Sequence, residues 1–205
     1  MSFRHTPGAI HLSHDFRNRD AAIEARDIGS SMTGAQVIGE ATPDDAAALA
    51  ECAAVTFPLA CPAGSRPADI ARFVATHLSA ERFMEYVEDP DRTVLCIRET
   101  HVPDGMPGEV VARRDGSDPR LFPGEPGRSG RLGGYSMLVR TQPTDPDVVE
   151  ALTLSPVVEL SKFYIHPDNH GRGTAAALMR ETLDHALRNG FPGIWLGVNQ
   201  ENERA

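Results

Sequence analysis

The sequence predicts an α/β fold, and three observations predict it. β-rich runs alternate with helical stretches from about residue 36 onward. One unit reads strand, glycine-rich turn, amphipathic helix, strand, which implies a right-handed crossover between parallel strands. No apolar run approaches the roughly 20 residues that a membrane helix needs. At 205 residues the chain has the length of one domain, given roughly 100–200 residues per domain. Its composition, 40% hydrophobic and 24% charged, excludes wholesale disorder.

Residues 1–31 read as a polar N-terminal extension without sustained periodicity, expected to be disordered. Charges run through it, so no secretory signal is expected there. His5, His11 and His14 have no cysteine or carboxylate pattern beside them that would make a metal site. The domain proper is expected over 32–205. A strand is predicted over 36–41. Thr42-Pro43-Asp44-Asp45 then supplies a capping hydroxyl, a proline for the first helical position and acids for the first turn. That helix is expected to run through 46–56, and a loop over 57–67. A helical stretch follows over 68–78 and continues after Ser79 to Val87, where Asp89-Pro90-Asp91 ends it. Residues 93–98 are β-rich.

The segment 101–132 holds six glycines and five prolines and sustains neither helix nor central strand. It reads as an insertion. Strand character resumes over 134–140, a further loop follows, and 157–165 is a long strand. After His166-Pro167-Asp168-Asn169-His170-Gly171-Arg172-Gly173 comes a helix whose Ala175, Leu178, Met179, Leu183, Ala186 and Leu187 share one stripe. Asn189-Gly190 caps its end, and 194–198 is the next strand.

A net charge of −9 argues against a nucleic-acid partner, whose phosphates call for a basic surface. Of 20 basic residues one, Lys162, is a lysine. Cys52, Cys61 and Cys96 form no CxxC pair, so no disulfide framework or zinc ribbon is encoded and no metal is expected. A reducing, cytoplasmic setting without membrane attachment is the expectation. Cys61 has no identifiable partner for a nucleophile, and Tyr135 and Trp195 read as packing residues.

The chemistry is expected at the glycine turn. Gly171 and Gly173 permit a tight turn and close approach, and N–H groups at the start of the following helix form a seat for a pyrophosphate. The six residues Gly171–Ala176 fit the dinucleotide fingerprint formally. Five residues separate the strand from Gly171, however, and no acid lies about 20 residues further on. A dinucleotide is therefore not expected.

The run from Pro167 to Met179 resembles the acetyl-CoA pyrophosphate loop of the GNAT N-acetyltransferases, Q/R-x-x-G-x-G/A. Leu196 to Ala205 is similar to that family's second motif, ending N-x-x-A. Glu159–Ile165 together with Ile194–Val198 most resembles the spermidine/spermine-type branch. The resemblance implies the GNAT acyl-CoA N-acyltransferase fold, a central mixed twisted sheet flanked by helices. His170 stands where the family usually has Gln or Arg. The chain ends before the family's last strands and the tyrosine that commonly protonates the departing thiolate. The expectation is thus a strand 194–198 with an exposed edge, covered by further residues or by a partner chain such as a second copy in a homodimer.

The resemblance also implies roles. Main-chain groups of Phe163 and Ile165, on either side of Tyr164, would pair with the pantetheine arm of acetyl-CoA. N–H groups of His170, Gly171, Arg172, Gly173, Thr174 and Ala175 would hold the pyrophosphate, and Asn202 would contact the pantetheine. Glu159 would be the general base that frees a primary amine of its proton. A bottom-up reason supports this, since amines are protonated at neutral pH and a carboxylate can take the proton. An unbroken strand places Glu159, Ser161, Phe163 and Ile165 on one face. The implied activity is acetyl transfer from acetyl-CoA to a polyamine, a protein lysine or an amino-drug. The alternative is a CoA-binding regulatory module without turnover.

Overall fold

The structure, a computed structural model, describes residues 5–11, 35–62, 64–100, 131–144 and 146–199. The strands are β1 (His5–His11), β2 (Ala35–Glu40), β3 (Arg92–Thr100), β4 (Leu132–Val139), β5 (Val157–Ile165) and β6 (Gly193–Asn199). The helices are α1 (Ala46–Thr56), α2 (Pro67–His77), α3 (Ala80–Glu88), α4 (Pro146–Ala151) and α5 (Thr174–Arg188). The six strands form one sheet in the order β1-β6-β5-β4-β3-β2. Among the described residues only β5 and β6 pair in parallel, across the α5 crossover; every other pair is antiparallel.

β4 is buried along its whole length because helices cover both of its faces. On one face Tyr135, Met137 and Val139 join Leu49, Cys52 and Ala53 of α1 and Phe83 of α3. On the other, Leu138 packs with Val158, Leu160 and Ile194 against Ala186 of α5, while Leu95 and Ile97 meet Leu178. The Ser136 and Thr182 hydroxyls, both fully buried, bond at 2.8 Å and pin α5 to β4.

The helix starts follow local chemistry. The Thr42 N–H and hydroxyl both donate to the Asp45 carboxylate, at 2.8 and 2.9 Å, and a 3-10 turn over Pro43–Asp45 leads into alanine-rich α1. The predicted helix over 68–87 is two helices. The Ser79 hydroxyl accepts from the Arg82 N–H at 3.4 Å and starts α3 afresh. α4 lies within a stretch expected to be loop, its six residues too few to show a helical period. The predicted insertion falls outside the described residues except for Arg131 and Leu132, which opens β4.

Two expectations are corrected at the sheet edge. His5–His11 belongs to the polar extension in the sequence, yet it forms β1, antiparallel to β6 from His5↔Asn199 to His11↔Gly193. The edge of β6 beyond the crossover therefore carries a strand of the chain's own. The physical reason is the row of N–H and C=O groups that β6 offers, which recruits backbone with little regard to side chain. Pro7, which has no N–H to give, is tolerated on an edge strand. Among the described residues no helix is long and apolar enough to cross a membrane.

The buried thiols set an alkaline limit. Burial pushes Cys96 up to about 12, with Asp45 and Cys52 adding and Arg98 opposing, and pushes Cys52 up to about 11. An unfolded chain releases these protons near pH 9, so above that pH it binds fewer protons than the folded chain and stability falls. Chemical denaturation at stepped pH is expected to show stability declining from about pH 9 toward 12, and Cys96→Ala is expected to flatten that decline. Equal slopes for the two proteins would contradict this.

Candidate active site

The site begins with one extra residue in β5. Pairing with β4 runs Gly134↔Ile165, Tyr135↔Tyr164, Ser136↔Phe163 and Met137↔Lys162, then jumps to Leu138↔Leu160 and Val139↔Glu159. Ser161 has no partner: it is a β-bulge, which bends the strand and increases its twist. On the other side of β5 the parallel pairing with β6 is confined to Val157↔Gly193, Val158↔Ile194 and Glu159↔Trp195. Both strands continue beyond that point, to Ile165 and Asn199, without pairing to each other. They splay apart where the bulge sits, leaving a cleft walled by the free edge of β5.

Main-chain groups alternate between the two edges of a strand. The Tyr164 carbonyl faces Gly134 on β4, where a Cβ would come within 2.6 Å of it. The His166 N–H donates to the Gly133 carbonyl at 2.9 Å. Phe163 and Ile165 therefore turn their main-chain groups to the cleft. The Ile165 carbonyl accepts from the His170 Nε2–H at 3.1 Å, which sets the tautomer of that ring.

Beyond β5 a 3-10 turn over Pro167–Asn169 leads to two left-handed glycines, Gly171 at φ 75° and Gly173 at φ 78°. A Cβ at either glycine would meet no atom within 4 Å, so backbone conformation rather than crowding calls for glycine and the approach to the loop is open. Gly173 is the N-cap of α5 and brings no side-chain cap. The N–H groups of the first turn have no intrahelical acceptor; the first helical bond is Ala177 N–H to Gly173 C=O at 3.0 Å. Together with the positive end of the helix dipole they form an anion seat. Arg172, Ala175 and Ala176 are exposed around it, whereas Thr174 is buried.

The bulge also corrects the expected grouping of side chains. Ser161 shifts the alternation by one, so Glu159 does not share a face with Phe163 and Ile165. Opposite Val139, it lies with Lys162 and Tyr164 on the face covered by α1 and α3. The half-buried Glu159 carboxylate accepts from the Thr141 hydroxyl at 3.3 Å. Nearby, the Lys162 ammonium lies 5.5 Å from the centre of the Tyr86 ring. Desolvation lowers the Lys162 pKa and Arg92 lowers it further, while Glu159 opposes both. Burial pushes the Tyr164 hydroxyl up to about 12. Its ring stands 5.5 Å from that of Tyr135 and 6.5 Å from that of Phe57, and Phe57 stacks on Phe73 at 4.6 Å.

Phe163 and Ile165 thus turn main-chain groups to the unpaired edge of β5 and the loop from His170 to Ala175 follows it, whereas Glu159 stands at the last position paired with both β4 and β6, its side chain on the face covered by α1 and α3. Tyr164 turns its main chain to β4 and its ring to the helices. Asn202 lies outside the described residues. The Cys61 thiol donates to the Phe57 carbonyl at 3.4 Å, and burial raises its pKa, which leaves it a packing group. Sequence reasoning passed over Asn169, whose side chain is buried among distant polar groups. Its position before the glycine pair was the one available signal.

A bulged strand with one unpaired edge leads into a glycine-capped helix N-terminus, an arrangement with free main-chain donors along the strand and at the helix start. Residues 128–205 match the family model described as Acetyltransferase (GNAT) family. Uncharacterized N-acetyltransferases of Mycobacterium bovis and Mycobacterium tuberculosis are each 41% identical over 161 residues, covering 78% of this chain and 77% of theirs. Among solved structures, the PaiA N-acetyltransferase of Thermoplasma acidophilum in complex with coenzyme A superposes with a TM-score of 0.55 at 14% identity, covering 82% of each chain. A GCN5-related N-acetyltransferase of Ralstonia eutropha gives a TM-score of 0.52 at 13% identity, over 80% of this chain and 84% of that one. The chain belongs to the GNAT family of acetyltransferases. It is an enzyme of acyl transfer, which sets aside the alternative of a module without turnover.

If the bulge opens the cleft, deleting Ser161 restores an unbroken ladder to β4 without moving any neighbouring side chain to the other face. The deletion variant is expected to keep its far-ultraviolet circular dichroism while acyl transfer, followed by thiol release, falls about 10²-fold, the scale of an ångström-sized misplacement of reacting groups. A folded variant with undiminished transfer would contradict this.

Proposed function

We propose that the chain transfers the acetyl group of acetyl-CoA directly to a primary amine, with Glu159 as general base. The observation that supports the reading is the unpaired β5 edge at Phe163 and Ile165 leading to the glycine-capped N-terminus of α5, with Glu159 two residues before the bulge that begins that edge. The edge offers alternate donors and acceptors to an amide-bearing arm, as an added strand would. The open loop from His170 to Ala175, with Arg172 exposed beside it, suits the two charges of a pyrophosphate. Unpaired main chain at the bulge suits a thioester carbonyl whose oxygen gains charge as the amine attacks. Acetyl-CoA would supply the activated acyl group.

The remaining work falls to this chain's residues. An ammonium is no nucleophile, so the Glu159 carboxylate, directly or through one water, would take one proton from it first. The free amine then attacks the thioester carbonyl, the C–N bond forms as the C–S bond breaks, and the departing thiolate takes the second proton that the nitrogen gives up. Lys162, on the same face, is the chain's one lysine. Its ammonium and the Glu159 carboxylate attract each other electrostatically. The resemblance to the spermidine/spermine-type branch puts polyamines first among acceptors to assay, followed by peptide lysines and amino-drugs.

Glu159→Gln keeps shape and hydrogen bonding but takes no proton. Its transfer rate to a polyamine is expected to fall about 10²–10⁴-fold, with CoA affinity unchanged and the deficit shrinking as pH rises and free amine accumulates. Equal rates at every pH would remove Glu159 from the chemistry. Gly173→Asp sets a carboxylate in the anion seat and is expected to abolish CoA binding in calorimetry. Undiminished affinity would remove the loop from the reading.

A further inference from the structure

Two left-handed glycines make the β5–α5 loop permissive, and a permissive loop is a poor anion seat unless something else holds it. Two of the ties that join this one to the rest of the fold differ in kind. Arg131 pairs with Asp168 at 2.6 Å, but the two side chains are 62% and 60% exposed, and an ion pair so solvated is worth little. The other tie is buried. Asn169 is 3% exposed, and its side chain joins a chain of hydrogen bonds across the sheet.

The direction of that chain follows from chemistry. A carboxylate only accepts, so Asn169 donates its Nδ2–H to Glu99 Oε1 at 3.0 Å. This turns Asn169 Oδ1 toward Gln36, whose Nε2–H donates to it at 2.7 Å. Gln36 Oε1 is left to accept from the Thr174 hydroxyl at a longer 3.3 Å. The donors run from Thr174 at the start of α5 through Gln36 on β2 to Asn169 in the turn, and the last acceptor is Glu99 on β3. Gly133 makes room for it on β4: a Cβ there would sit 3.1 Å from Asn169 Nδ2. Because Glu99 carries a charge, its bond polarises the rest of the chain.

We propose that Asn169 is a positioning residue for acyl-CoA: clamped by Gln36 and Glu99, it holds the loop and the start of α5 so that their N–H groups converge on the pyrophosphate. The inference rests on the reading that this loop seats the pyrophosphate of CoA. The polar chain takes no part in proton transfer. Its contribution is to the phosphate-bearing half of the ligand alone, which separates it from a general packing role.

The test uses the full chain and two probes, CoA and pantetheine, the second lacking the pyrophosphate and nucleotide. Calorimetry or competition gives both dissociation constants. Asn169→Ala is expected to weaken CoA about 10-fold, the scale of one lost hydrogen bond to a charged group, and to leave pantetheine unchanged. Asn169→Asp faces the Glu99 carboxylate and is expected to weaken CoA at least as much. Asn169→Asp combined with Glu99→Gln rebuilds both bonds, since Gln36 and the amide introduced at position 99 both donate to the new carboxylate. The double variant is expected to return CoA affinity to within about 2-fold of the parent. Equal weakening of both probes, unchanged CoA affinity in Asn169→Ala, or no recovery in the double variant would each overturn the proposal. If Asn169→Ala does not fold, the comparison of Asn169→Asp with the double variant decides alone. A parent protein that binds CoA no better than pantetheine would instead overturn the pyrophosphate reading itself.

Discussion

Because Ser161 has no counterpart on β4, two things follow that a regular sheet could not provide together. β5 turns away from β6 after Glu159, which frees one edge of a strand whose other edge stays paired in the middle of the sheet. The alternation of side chains also slips by one, which sends Glu159 to the same face as Lys162 and Tyr164. The free edge and the carboxylate thus come from one local irregularity. A central strand edge without a partner is otherwise a liability; here the helices and β4 hold the strand firmly enough to keep it open.

The second constraint is the left-handed pair Gly171 and Gly173. A side chain in that conformation is strained, and a side-chain cap at Gly173 would occupy the N–H groups that the seat needs. Glycine leaves those donors free but gives the loop little rigidity of its own. The buried polar chain from Thr174 to Glu99 offsets this. It reaches across β2, β3 and the turn, so the sheet adds to the bonds that the loop makes within itself. The Ser136–Thr182 bond and the Leu178 contacts do the same for the body of α5.

Much of this fold is legible in the sequence. The run from Val157 to Ile165 declares a strand through its β-branched and aromatic residues, and the stripe on α5 and the glycines before it declare the crossover. Thr42 and Asp45 declare a helix start at the residues that cap it. Other features leave no local trace. The bulge at Ser161 contains no glycine, and only pairing with β4 reveals it, so alternation counted along β5 alone assigns Glu159 to the wrong face. β1 carries a proline, a glycine and three polar residues, and is a strand because β6 needs a partner. Gln36 and Asn169 stand 133 positions apart, a distance at which no spacing rule operates.

A ligand lying along β5 needs its free edge. Residue-resolved amide exchange in the presence and absence of CoA tests it directly. The Phe163 and Ile165 N–H groups face the cleft and should gain protection when CoA binds, while Tyr164, already bonded to β4, should exchange at the same slow rate in both states. Protection that rises at Tyr164 alone, or at none of the three while CoA is bound, would show that the ligand does not lie along this strand.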